Sequence, residues 1–167
     1  MFQMALVLAF PAAVAFAAAM DVFSLTIPNR ISLFLIATFF CLAPIAGLSL
    51  TDIGWHVAAG LAVLSVTMTL FFTGHLGGGD AKLLAVISLW MGFEHLHEFL
   101  TMATLFGGVL ALAFLRFRAR PLPQMIANEA WALRLHKPKG GIPYGVALGG
   151  AALLVYPQTP WFIAVGM

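Results

Sequence analysis

Apolar residues in this chain come in long unbroken runs. Six stand out, over residues 3–23, 31–50, 55–73, 81–93, 98–115 and 143–166. Continuous runs predict helices, because the strands of a membrane barrel would alternate apolar and polar positions. About 20 helical residues cross a hydrocarbon core of roughly 30 Å. Most of the runs meet that length. The fourth, AKLLAVISLWMGF, is short and spans only by local bilayer thinning or by borrowing length from the glycines before it. The expected architecture is therefore all-α: a polytopic membrane protein with about six transmembrane helices, residues 1–167 forming a single transmembrane domain.

Composition strengthens this expectation. The 167 residues are 62% hydrophobic and 8% charged, with a mean hydropathy of +1.03. A soluble domain carries roughly 25% charged residues, so too little polar side chain is present here to cover a water-facing surface. The stretch AFAAAM resembles a signal-peptide cleavage site. The first 29 residues, however, contain no Lys or Arg, and a signal peptide opens on a basic region. The segment is read as a retained helix. The single cysteine, Cys41, cannot form an internal disulfide and is expected to pack within its apolar run.

The basic residues orient the chain. They are Arg30, Lys82, Arg116, Arg118, Arg120, Arg134, Lys137 and Lys139. With six spans, all eight fall in or beside the odd-numbered connections. The even-numbered ones hold Asp52, Glu94, His95, His97 and Glu98 and no Lys or Arg. The positive-inside rule makes the odd connections cytoplasmic and both termini external. In the one long connection, RFRARPLPQMIANEAWALRLHKPKGG, Pro121 and Pro123 break the preceding helix. QMIANEAWALRLH predicts a short interfacial helix with Trp131 at headgroup level; the alternative is a basic loop that only fixes topology.

Of the six acidic residues, solvation accounts for Asp52, Glu94 and Glu98, and Glu129 has Arg134 nearby as a partner. Asp21, at the end of the first run, and Asp80, opening the fourth, remain. Both fall at the cytoplasmic ends of their helices. An ionisable group at the edge of a membrane domain is costly and marks a functional candidate. The plain alternative is a helix cap, which suits Asp80 as GGGD enters a helix. It suits Asp21 poorly, because a carboxylate near a helix C-terminus opposes the dipole.

Two carboxylates held close share one proton. One then activates water as general base while the other hydrogen-bonds an amide carbonyl as general acid. That is peptide hydrolysis without a metal or covalent intermediate. Such chemistry needs access to the substrate backbone. Gly77, Gly78 and Gly79 provide it by lacking Cβ atoms and by tolerating positive φ.

At these residues the chain resembles the GxGD aspartyl proteases. GGGDAKL carries Gly77, Gly79 and Asp80 in the fixed places, and Lys82–Leu83 matches the GxGDxKL form of the type IV prepilin peptidases. DVFSLTIPNRIS resembles that family's first-aspartate segment, with Ile-Pro-Asn six residues after Asp21. IPYGVALGG, with Pro143, Tyr144 and Gly145, resembles the element opening its last helix. The resemblance covers nearly the whole chain. It implies Asp21 and Asp80 as the catalytic pair, prepilins as substrates, and a bacterial inner-membrane location with the site facing the cytoplasm.

Larger members carry a cytoplasmic insert with paired cysteines and also methylate the new N-terminus. This chain has neither the insert nor the cysteines and is similar to the short peptidase-only branch serving tight-adherence (Flp) pili. It departs from many relatives in having Val22, Phe23 and Ser24, not basic residues, after the first aspartate. No cofactor, metal or nucleic-acid partner is expected.

Other residues take quieter roles. Pro28 suits the first turn of the second helix, with Thr26 as a cap. Asn29 either orients the loop near Asp21 or caps. Lys82 lies two residues from Asp80, too close along a helix to face it, and is expected to meet lipid phosphate or set helix depth. A zinc site needs three or four ligands, and only His75 and His136 offer imidazoles on this side. A proton-coupled transporter also uses paired membrane carboxylates, but usually near the midplane and in repeated halves. A membrane scaffold would tolerate loss of either aspartate.

Overall fold

A computed structural model describes residues 2–138 and 140–163, with backbone alone for residues 2–7 and 163. Lys139 and the end of the sixth apolar run, residues 164–166, lie outside the described residues. The described chain is helical throughout: α1 Phe2–Ser24, α2 Asn29–Leu42, α3 Leu50–Phe72, α4 Gly78–Arg118, α5 Ala130–His136, α6 Tyr144–Val155 and α7 Pro160–Ile163, with short 3-10 turns at Gln124–Ile126 and Tyr156–Gln158.

Large apolar side chains cover the outside. Leu61, Val66, Leu105, Val109 and Leu112 are each more than half exposed. A surface of this kind belongs against lipid, and it marks a membrane protein. Among the described residues two helices, Leu50–Phe72 and Gly78–Arg118, are long and apolar enough to cross a bilayer. At 14 and 12 residues, α2 and α6 fall short of the roughly 20 residues that a span needs.

Several boundaries differ from the sequence expectation, each for a local reason. The second run ends at Leu42 because Pro44 offers no N–H to continue the ladder, and Gly47 turns the chain at φ 82°. Ser49 and Asp52 then form a reciprocal capping box at the start of α3, so Asp52 is a capping residue and not merely a solvated one. Cys41 is exposed and not packed. The buried face of α2 carries Ile31, Leu35 and Phe39 at a four-residue repeat, and a position two beyond Phe39 points away from it. The last run breaks after Val155 into a 3-10 turn and a short helix, where Pro157 and Pro160 interrupt helical bonding.

The largest departure lies in α4. The fourth and fifth runs join without a loop, but Gly92 has φ 62° and ψ −179°, a region open essentially to glycine alone. Asp80 and Ala111 line one groove, although 31 residues of straight helix would separate them by about 46 Å. The chain therefore folds back at Gly92 into two limbs. The carbonyls of Leu89 and Trp90, on the turn opened by the kink, accept hydrogen bonds from His56 Nδ1 at 2.8 Å and Trp161 Nε1 at 2.8 Å. Trp90 in turn donates to Leu35 O at 3.0 Å. Phe10, Phe39, Trp90, Tyr156 and Trp161 form the aromatic centre of the core.

Contacts fix the directions of the helices. Gly60 approaches Ala85 and Leu89 while Thr67 Oγ1 donates to Ala81 O at 3.4 Å, so α3 runs antiparallel to the first limb of α4. Gly145 meets Asp21 and Gly149 meets Ala18, so α1 and α6 are also antiparallel. One end of the bundle thus collects the close of α1 and the starts of α2, α4 and α6.

Candidate active site

The stretch GHLGGGD divides its glycines among distinct tasks. Gly74 ends α3 at φ 78°. Its N–H reaches Phe71 O, and the N–H of His75 reaches Leu70 O, both at 2.9 Å, which is the Schellman pattern. Gly77 is the N-cap of α4, which puts Asp80 at the third helical position, in the first turn where the dipole favours a carboxylate. A Cβ on Gly77 would lie 2.8 Å from Asp80 Oδ2, so the missing side chain leaves room for that oxygen to fold back over the cap.

Gly78 packs under the Phe71 ring and Gly79 against Ile27. None of Gly77, Gly78 and Gly79 has positive φ. Their missing Cβ atoms admit parts of this same chain, which corrects the expectation that they free the backbone for positive φ.

Asp21 lies one turn before the end of α1 and is 5% exposed. Its Oδ2 accepts the N–H of Gly145 at 2.6 Å. Gly145 is the second residue of α6, one of the first-turn donors that an α-helix leaves without an internal partner. The unfavourable end of α1 is therefore offset by the favourable end of α6. A Cβ at Gly145 would stand 2.9 Å from Asp21 Oδ2 and 3.0 Å from its Cβ, so glycine is what permits this approach.

Both carboxylates open into one cavity of about 500 Å³, lined also by Leu25, Thr26, Ile27, Gly77, Gly78, Gly79, Gly141, Ile142 and Tyr144. Asp80 and Tyr144 also line an adjoining, more apolar groove of about 420 Å³ between the limbs of α4 and α6.

The remaining predicted residues flank this cavity. Lys82 Nζ donates to Asn29 Oδ1 at 2.9 Å, which ties the start of α4 to the start of α2. Pro28 is the N-cap of α2 and not its first-turn residue. Thr26, expected as that cap, shares a 2.8 Å hydrogen bond with Ser24 Oγ instead. Pro143 is the N-cap of α6.

Glu129 forms the N-cap of α5, while Arg134, its expected partner, donates to Phe23 O at 2.6 Å. Of the helix expected over QMIANEAWALRLH, α5 is the α-helical part, with Trp131 edge-on to Phe23. His75 meets Thr73 Oγ1, and His136 lies edge-on to Phe117. Among the described residues no group of three or more His, Cys, Asp or Glu is arranged to hold a metal.

Sequence reasoning missed two kinds of contributor. Leu25 lines the cavity with φ 53°, a left-handed conformation that costs a branched residue roughly 1–2 kcal/mol; no local signal announces it. Arg118 reaches the same region from the end of α4, through Leu135 O at 2.9 Å and Gly141 O at 2.7 Å. Its charge had marked it only as a topology determinant.

An all-helical membrane protein that brings two aspartates together in a glycine-walled cavity belongs to a narrow class. The profile of the type IV leader peptidase family matches residues 8–112, and the chain belongs to that family. The matched region contains both aspartates and the GGGD turn; α5 and α6 lie beyond it. No curated protein and no solved structure matches the chain. Membership makes the protein a peptidase, a hydrolase of type IV leader sequences.

Proposed function

We propose that this protein is a membrane-embedded aspartyl endopeptidase that removes the short leader of Flp-type prepilins at the cytoplasmic face of the bacterial inner membrane. The observation that carries this reading is the opening of Asp21 and Asp80 into one cavity. The pair shares a proton: one carboxylate draws a proton from the attacking water while the other hydrogen-bonds the scissile carbonyl. As the tetrahedral intermediate collapses, the proton passes to the leaving amine, and neither metal nor covalent adduct is required.

The scissile peptide lies against Gly77–Gly79 and Tyr144, with the leader on the side of the basic residues. The apolar stretch that follows the leader extends along the groove that Asp80 and Tyr144 share with Leu84, Leu100 and Leu148. In this reading the chain crosses the membrane six times, the short helices α2 and α6 included.

Asp21→Asn and Asp80→Asn test the pair. Each keeps the shape and loses the charge, and each is expected to lower cleavage of a co-expressed Flp-type prepilin by about 10²–10⁴-fold at unchanged membrane abundance. The double variant should fall no further than the worse single one, since the two act as a unit. Near-normal cleavage by either variant removes that residue from the mechanism.

A further inference from the structure

We infer that Arg118 and Arg134 are positioning residues that hold Asp21 in place by clamping the backbone on both sides of its hydrogen bond to Gly145; this rests on the proposed role of Asp21. The bond joins two separate elements, the end of α1 and the start of α6, across 124 residues of sequence. At the end of α1 the Ser24 hydroxyl serves Met20 O and not Phe23 O. Pro143 caps α6 without a side-chain hydrogen bond. The last carbonyls of α1 have no partners within the helix.

The arginines meet both needs. Arg134 Nη1 donates to Phe23 O, two residues after Asp21, at 2.6 Å. Arg118 Nη2 donates to Gly141 O, four residues before Gly145 and itself a wall of the cavity, at 2.7 Å. Through Nε, Arg118 also holds Leu135 O at 2.9 Å. Leu135 neighbours Arg134, so one guanidinium fixes the helix from which the other works. Trp131, on the same short helix, packs its ring edge-on to Phe23 with centroids 6.1 Å apart. The result is a continuous brace from the end of α4, through α5, to the backbone on both sides of the Asp21–Gly145 bond.

Geometry, more than charge, is what this brace requires. A guanidinium presents several donors in a rigid plane; that of Arg118 holds two carbonyls at once, and that of Arg134 aims one planar N–H at Phe23 O. A lysine ammonium carries the same charge on a flexible stem without that fork. The competing account is that the two arginines serve only as positive-inside determinants, and lysine would serve that purpose equally well.

Arg118→Lys and Arg134→Lys therefore separate the two accounts. Each variant would be purified in detergent and its initial rates measured on one Flp-type prepilin. Hydrogen exchange of the 141–148 segment and the sidedness of a loop label would be followed alongside. We expect kcat to fall about 10–100-fold, the scale set by a displacement near 1 Å, with KM within about twofold. Exchange should quicken in 141–148 but not in α3, and sidedness should be unchanged. Wild-type kcat in both lysine variants would overturn the inference. So would a rate loss accompanied by faster exchange throughout the bundle, which would mean general destabilisation. The proposed function fails differently: the wild-type protein would leave the prepilin uncut, or Asp21→Asn would cut it normally.

Discussion

Three glycines around the two carboxylates lack a Cβ for different reasons, and alanine at each should report differently. At Gly145 the added atom meets Asp21 Oδ2 at 2.9 Å and also Asp21 Cβ at 3.0 Å, so rotating the carboxylate away does not clear the clash. Overpacking of this kind costs roughly 1–3 kcal/mol, more than the roughly 1 kcal/mol that alanine returns in helix propensity. At Gly77 the only close contact is Asp80 Oδ2, at 2.8 Å, the free end of a side chain that can turn. At Gly79 the nearest atom, Ile27 Cβ, is 3.3 Å away, and the propensity gain roughly offsets the crowding.

Gly145→Ala should thus lower both thermal stability in detergent and cleavage rate. Gly77→Ala should lose less stability than Gly145→Ala, only what a poorer N-cap costs, but about a hundredfold in rate by moving a carboxylate. Gly79→Ala should change either one least. A Gly145→Ala protein with wild-type melting and wild-type rate would contradict the close approach. The Asp80 turn was legible from sequence because it is local: glycines, acid and apolar run are adjacent. The partner of Asp21 was not, because a backbone N–H supplied from 124 residues away leaves no side-chain signature.

Helix type followed from unbroken apolar runs, but helix ends did not always follow from where those runs stop. The second run continues past Leu42 in composition although the helix does not, since Ala43–Gly47 remains apolar while Pro44 removes a donor. The turn at Gly92 is the harder case. Polar residues at 94–98 suggested a connection there, yet the reversal comes earlier, at a residue embedded between Met91 and Phe93. Only its φ of 62° and the His56 ring beneath it reveal the role. A Cβ on Gly92 would come within 2.8 Å of His56 Cε1, in a backbone region that alanine scarcely occupies. Strain of about 1–3 kcal/mol adds there to the displacement of His56 from Leu89 O. Gly92→Ala should therefore be among the most destabilising alanine substitutions in the chain, read as a drop in thermal midpoint in detergent. An unchanged midpoint would mean that the kink forms without need of glycine.

At the scale of the molecule, the two ends differ in chemistry. Lys82, Arg118 and Arg134 gather at the end that holds the aspartates, where each has a hydrogen-bond partner. Asp52, His56 and Glu94 line a cavity of about 440 Å³ together with Gly47, Gly92 and Pro160, residues that belong to the opposite turns of the bundle. Charged groups do not rest within hydrocarbon without cost, so the apolar belt between the ends is the part that lies in lipid. In the proposed reading the basic end is the one retained in the cytoplasm.

Cysteine labelling tests this directly, because Cys41 is the only cysteine in the chain and Cys41→Ser removes the background. His97, 77% exposed, and Gln124, on the exposed turn after α4, lie at opposite ends of the second α4 limb. In intact cells a membrane-impermeant maleimide should label H97C and spare Q124C, which should react only after permeabilisation. The reverse pattern would place the aspartates outside and separate them from a cytoplasmic leader. Equal labelling of both positions in intact cells would reject a bundle whose two ends face different compartments.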